Sequence, residues 1–279
     1  MTDVAQAFVP GHVTGFFTID RADEPTATGS RGAGVAISEG VSVTVRRTDE
    51  RAVVLNGEAL ELEAVERVLG TLDATVQVRG VTDLPLGAGF GVSGAMALGA
   101  ALGTNALLDR ALSENELVTI AHGAEVQAET GLGDVVAQAR GGVPLRLEPG
   151  GPHENEMDGI PARPRIEYLS MGQLATDEVL GAAGAELTRA GEAALSRVVA
   201  QPTLDEFIHA ARRFSREAGL LTDDVHRVIE DVTDAGGQAA MAMLGETVFA
   251  VGTGLSQAGY DPVVSRTHPG GATLETAVA

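Results

Sequence analysis

The stretch PLGAGFGVSGAMALGAALG, Pro85 to Gly103, places glycines at 87, 89, 91 and 94 ahead of an alanine-rich run with helical character. Glycines spaced this closely let the backbone take positive φ or approach a ligand. A helix that follows at once adds its first N–H groups and the positive end of its dipole, an arrangement suited to phosphate. The chain contains no lysine, so the lysine-terminated nucleotide loop is absent, and no G-x-G-x-x-G pattern opens an early βαβ unit. An anion site here has to be built from backbone; the alternative is a glycine turn that binds nothing. Ser93 either satisfies a free N–H at the helix start or offers its hydroxyl to magnesium. Asp134, in TGLGDVVAQARGG, is either a turn former or a carboxylate that accepts a proton from an attacking hydroxyl. Glu125 stands at the edge of a core-facing helical stripe, as a salt-bridge partner or as a magnesium ligand. His12, at the tip of a Pro-Gly turn in VPGHVTGFF, is structural or faces a substrate.

These residues need elements to position them. Short Val-rich segments separated by Gly, Asp or Asn predict strands at AQAFVPGHV, AGVAIS, VSVTVRR, RAVVLN and ATVQVRG. Ser93 to Leu108 predicts a helix buried on most sides. SENELVTIAHGAEVQAE opens with Ser113 and Glu116 at capping-box spacing, and Leu117, Ile120, Ala121, Ala124 and Ala128 form its apolar stripe. Glu148 to Pro164, rich in Gly, Pro and acids, predicts a linker or long surface loop. Beyond it come a strand at RIEYLSM and helices over 177–200, 203–217 and 222–235, with a capping pair at Thr203 and Glu206 and a stop at Gly219. AAMAML, TVFAVG and PVVSR predict three more strands. Strands and helices are partly segregated, which favours an α+β fold, and the boundary predicts two domains, 1–155 and 156–279.

Composition narrows the chemistry. With 279 residues and 44% hydrophobic content the chain has material for a real core. It has no cysteine, which excludes disulfides, thiolate metal sites and cysteine nucleophiles. A net charge of −20 argues against nucleic acid as a partner, because backbone phosphate needs clustered cations. The same acidity suits a protein that stays soluble at high salt, where screening weakens self-repulsion. No targeting segment or bilayer-spanning stretch is recognised, so a cytoplasmic protein without membrane attachment is expected.

Together, in this order, the motifs resemble those of the GHMP kinases. PLGAGFGVSGA is similar to the family's P-x-x-x-G-L-G-S-S-A, with Pro85, Gly89, Gly91, Ser93 and Ala95 in place and Phe90, Val92 and Gly94 departing from it. Pro10-Gly11-His12 resembles the family's P-G-K, with histidine for lysine. Gly133-Asp134 followed by Gly141-Gly142 resembles the segment of the catalytic aspartate, and Glu125 the helical metal-binding glutamate. MAMLGETVFAVG resembles the third motif, of which Gly245 is retained. The resemblance implies an N-terminal domain like ribosomal protein S5 and a ferredoxin-like C-terminal domain. It implies ATP bound over Pro85, Gly87, Ala88, Gly89, Phe90, Gly91, Val92, Ser93 and Gly94, and magnesium on Ser93 and Glu125. Asp134 and His12 would serve catalysis, and His12, Thr14 and Arg31 would meet the substrate. FVPGHVTGFF, GSRGAG and AMAMLGETVFA are most similar to an archaeal branch acting on pantoate, a small hydroxy acid, on the way to coenzyme A, often as a homodimer. Phosphorylation of another acceptor (homoserine, mevalonate or a sugar) and non-catalytic ligand binding are the alternatives.

Overall fold

Recurring β-branched and aromatic residues mark Val4–Phe17 and Gly32–Arg47, and these form the two longest strands, β1 and β2. The computed structural model describes residues 3–173, 184–243 and 245–278. Where AGVAIS and VSVTVRR predict two strands, β2 runs on unbroken. The register passes from Pro10 opposite Gly40 to Gly11 opposite Ile37, so Ser38 and Glu39 are extra residues on β2. They bulge and bend the strand where the sequence suggests a turn that ends it.

Around this pair lie β3 (Ala52–Leu55), β4 (Glu58–Ala59), β5 (Val76–Val81), β6 (Pro144–Arg146), β7 (Met157–Gly159) and, from the end of the chain, β12 (Thr273–Val278). The first sheet has the order β12-β1-β2-β5-β3-β4, with β6 pairing both β2 and β7. A second, four-stranded antiparallel sheet is built from β8 (Arg165–Gln173), β9 (Gln238–Ala242), β10 (Gly245–Val251) and β11 (Val263–Arg266), in the order β11-β8-β10-β9. The segment expected as a linker is tied to the first sheet: Gly151 N–H donates to Thr26 O at 2.8 Å and β7 pairs β6. Strand β7 thus lies just past the expected boundary at 155, and β12 returns to the edge of the first sheet.

Helices α1 (Glu63–Thr71), α2 (Val92–Leu108), α3 (Glu114–Gln127) and α4 (Asp134–Arg140) accompany the first sheet. The expected capping box of α3 is present, Ser113 and Glu116 bonding reciprocally. Helices α6 (Leu204–Glu217), α7 (Asp223–Asp234) and α8 (Gly254–Gln257) accompany the second, and α5 (Gly184–Ala200) packs on α6 and on β1 and β2; residues 177–183, expected in α5, lie outside the described residues. Thr203 caps α6, and Gly219, at φ 69°, follows its end. The two layers share one core: Phe16 and Phe17 of β1 stack with Phe214 of α6, and Phe207 of α6 with Phe16 and with Phe249 of β10. That aromatic cluster fixes β1, and with it His12 and Thr14, between the sheets.

Candidate active site

The glycine loop enters α2 through Gly91, whose φ of 66° is open to glycine at little cost, and no side chain caps the helix there. Gly87 and Gly89 also have positive φ. Three loop carbonyls are held from behind. Ala88 O accepts from Thr247 Oγ1 at 3.1 Å, Phe90 O from the His12 N–H at 3.0 Å and Gly91 O from Gln138 Nε2 at 2.9 Å. In a planar trans peptide the next N–H points opposite to the carbonyl. The N–H groups of Gly89, Gly91 and Val92 are thereby turned the other way, on residues that line a cavity of about 430 Å³. Gly87, Phe90, Ser93 and Gly94 also line it; Ala88 is buried behind the loop and Pro85 is exposed outside the lining. Gly245 backs directly on Ala88, where a Cβ would come within 2.3 Å of the Ala88 carbonyl oxygen.

Asp134 begins α4 and faces this cavity together with Thr14. His12 Nδ1 lies 2.7 Å from Asp134 Oδ1, and Thr14 Oγ1 is 3.5 Å from the same oxygen. Burial alone pushes the Asp134 carboxyl up, but the bond from His12 and its electrostatic pull, the positive charge of Arg146 and the bond from Thr14 outweigh it and hold the carboxyl below its ordinary range. His12 is wholly buried, which pulls its imidazole below its ordinary value against the pull of Asp134. The site therefore holds an ionised carboxylate oriented by a neutral ring.

Ser93 Oγ donates to Glu125 Oε1 at 2.6 Å. Glu125 is 2% exposed, and burial pushes its carboxyl up to about 7 against the bonds from Ser93 and Thr130. Its partners are hydroxyls, and a surface salt bridge is excluded by its burial. A buried carboxylate with no cationic side chain on it among the described residues, touching a hydroxyl at the start of α2, fits magnesium, which takes one or two carboxylates, phosphate oxygens and water. Among the described residues no cluster of three or more acidic or histidine side chains forms a metal cage, so phosphate and water would have to complete the coordination.

Arg31 departs from expectation. Its guanidinium is engaged by Asp20 at 3.0 Å and Glu192 at 2.8 Å, and it lines neither the cavity at the glycine loop nor the recess beside it. The cation beside Asp134 is Arg146, on β6. It is 2% exposed, its Nε donates to Ser30 O at 3.2 Å, and its Nη1 is buried with no partner among the described residues. Burial pulls it down to about 10, opposed by the charge of Asp134. With Thr14, Ser30 and Gly133 it lines a small recess that shares Asp134 and Thr14 with the larger cavity. A buried guanidinium with an unpartnered Nη1 among the described residues, beside a carboxylate, is equipped to bind an anionic substrate. The sequence signal for it was an arginine set in the apolar run VPLRLEP.

Residues 58–142 match the family model described as the GHMP kinases N terminal domain. A pantoate kinase from Methanospirillum hungatei is 34% identical over 257 residues, covering 88% of this chain and 86% of the relative. The chain belongs to the GHMP kinase family. Another pantoate kinase, from Methanocaldococcus jannaschii, is 33% identical over 88% of this chain and 91% of its own length. A solved structure titled as a phosphotransferase related to the CoA biosynthesis pathway superposes with a TM-score of 0.87 at 28% identity, covering 99% of this chain and all of that one. The expected two-part α+β architecture is that of this kinase family, and the chain is a small-molecule kinase.

Proposed function

We propose that this kinase transfers the γ-phosphoryl group of ATP to the primary hydroxyl of pantoate, giving 4-phosphopantoate for coenzyme A synthesis. The observation that supports this most directly is the shared wall: Asp134 and Thr14 line both the cavity at the glycine loop and the recess of Arg146. A substrate with a carboxylate at one end and a hydroxyl at the other fits that arrangement, and the relatives described above carry the name pantoate kinase.

In this reading Arg146 holds the carboxylate and the hydroxyl meets Asp134. Asp134 accepts the hydroxyl proton as the oxygen bonds to the γ-phosphorus and the bond to the bridging oxygen breaks, leaving ADP. His12 orients Asp134 and keeps its oxygens ionised, while the turned N–H groups of the loop hold the phosphates. Ser93 and Glu125 would hold magnesium, which supplies neutralisation of phosphate charge when bound.

The lysine-free acidic surface fits a salt-rich cytoplasm, where the protein would work without nucleic acid or membrane partners and as the homodimer the resemblance implies. No helix among the described residues is long and apolar enough to cross a membrane. The two domains, 1–155 and 156–279, would act as nucleotide unit and covering unit, with β7 and β12 lent back to the first sheet.

The test is product formation from ATP with pantoate, homoserine, mevalonate and a sugar in turn, at high potassium chloride. Turnover with pantoate alone is expected. Turnover with a different acceptor overturns the substrate, and none with any acceptor overturns the kinase reading of this site.

A further inference from the structure

Helix α4 carries a second polar side chain on the face of Asp134, one turn later. Gln138 is completely buried; its Nε2 donates to Gly91 O at 2.9 Å, and its Oε1 has no partner among the described residues. Gly91 O already accepts the Ala95 N–H of α2 at 2.9 Å. Leucine or methionine here would leave no orphaned carbonyl oxygen in the core and would still leave Gly91 O bonded, so packing alone favours an apolar residue. The amide therefore does something that packing does not explain.

We propose that Gln138 is a positioning residue for the nucleotide loop, and the proposal rests on the loop's assignment to ATP above. Gly91 is the left-handed residue at which loop becomes helix, and it lacks a capping side chain. A second donor on its carbonyl fixes the plane of the Gly91–Val92 peptide and so the direction of the Val92 N–H, on a residue that lines the cavity. Gln138 does this from the helix that bears Asp134. One rigid element then sets both the proton acceptor and the anion-binding turn, and so the alignment of acceptor hydroxyl with phosphate.

The test is Gln138→Leu, with Gln138→Met, which is closer in length, repeating it should the first fail to fold. In each, KM for ATP is expected to rise about fivefold, the equivalent of one hydrogen bond, with KM for pantoate unchanged and the thermal midpoint unchanged or raised. A residue that only packs would leave KM for ATP alone, whatever the midpoint did. Wild-type binding of ATP in calorimetry together with an ATP KM within twofold of wild type in the variant overturns the role of Gln138 alone. Failure of the wild-type protein to bind ATP overturns the loop's assignment and this role with it. A fall in midpoint with equal losses for both substrates also overturns it.

Discussion

His12 Nδ1 and Asp134 Oδ1 lie 2.7 Å apart although 122 positions separate the two residues in the chain. The ring's other nitrogen, Nε2, is buried with no partner among the described residues, close to the backbone of Gly34. A charged imidazolium would bury an unpaired N–H there, so the neutral ring with its proton on Nδ1 is the stable form, donating to the carboxylate. The P-G-K motif that Pro10-Gly11-His12 resembles has a permanently charged lysine at this position. Here the positive charge comes from Arg146, and the histidine supplies direction.

Removing that donor should raise the pKa of Asp134, so a higher pH becomes necessary to keep it ionised. In His12→Ala the acid limb of the kcat/KM profile moves to higher pH. In His12→Asn, whose amide nitrogen reaches the place of Nδ1, it moves less. An unmoved limb in His12→Ala would show that the ring does not govern Asp134.

Asp134→Asn keeps the size of the side chain and removes the proton acceptor. A fall in kcat of roughly a hundredfold to ten-thousandfold is expected. ATP affinity in calorimetry should stay near wild type, because the turned N–H groups of the loop do not depend on that carboxylate. Undiminished kcat would take Asp134 out of the proton transfer.

Arg146 and Arg31 make opposite predictions. Arg146→Gln deletes a buried, charge-assisted contact, and KM for pantoate should rise about tenfold to a hundredfold while KM for ATP holds. Arg31→Gln breaks partly exposed pairs with Asp20 and Glu192, worth about 1 kcal/mol or less, and should move neither KM. Reversal of the two results would return the carboxylate to Arg31.

The difference between these arginines also shows what a sequence reveals and where it stops. The loop glycines and α2 were legible because positive φ and a buried small-residue helix leave local marks, and the neighbours of Ser93, Glu125 and Asp134 singled out three residues that line one cavity. Helix α1 was legible too, since Ala64, Val65, Val68 and Leu69 have helical spacing and are buried, yet it went unrecognised between strand signals. Arg146 was not: its burial comes from β6 pairing β2 and β7, and no local pattern encodes that. Arg31 resembled a substrate ligand because one of its partners, Glu192, lies 161 positions away on α5. Strand β12 likewise depends on its remote pairing with β1.

A net charge of −20 without lysine should make stability depend on salt. Raising potassium chloride from 0.1 M to 1 M shortens the Debye length from about 10 Å to about 3 Å and weakens repulsion among surface carboxylates. The thermal midpoint should climb across that range. A flat or falling midpoint would remove the salt-adapted reading of the surface.

Glu125 supplies a pH signature of its own. Its carboxyl titrates at about 7 in the fold against 4.5 for an unburied group. Below 4.5 both folded and unfolded chains hold the proton, and burial of the neutral acid carries no ionisation penalty. As pH rises to 7 the unfolded chain releases it while the folded one keeps it, so stability falls by an amount on the order of 3 kcal/mol. Glu125→Gln escapes this loss. Without nucleotide or divalent ion its thermal midpoint should exceed that of wild type at pH 8 and match it near pH 4, while magnesium-dependent turnover collapses. Equal shifts at both pH values would show that the buried carboxyl does not ionise in this way. Retained turnover would show that it is not needed for the metal. A carboxylate that weakens the empty fold at working pH is what a cation site requires, since the ion restores on binding what burial costs.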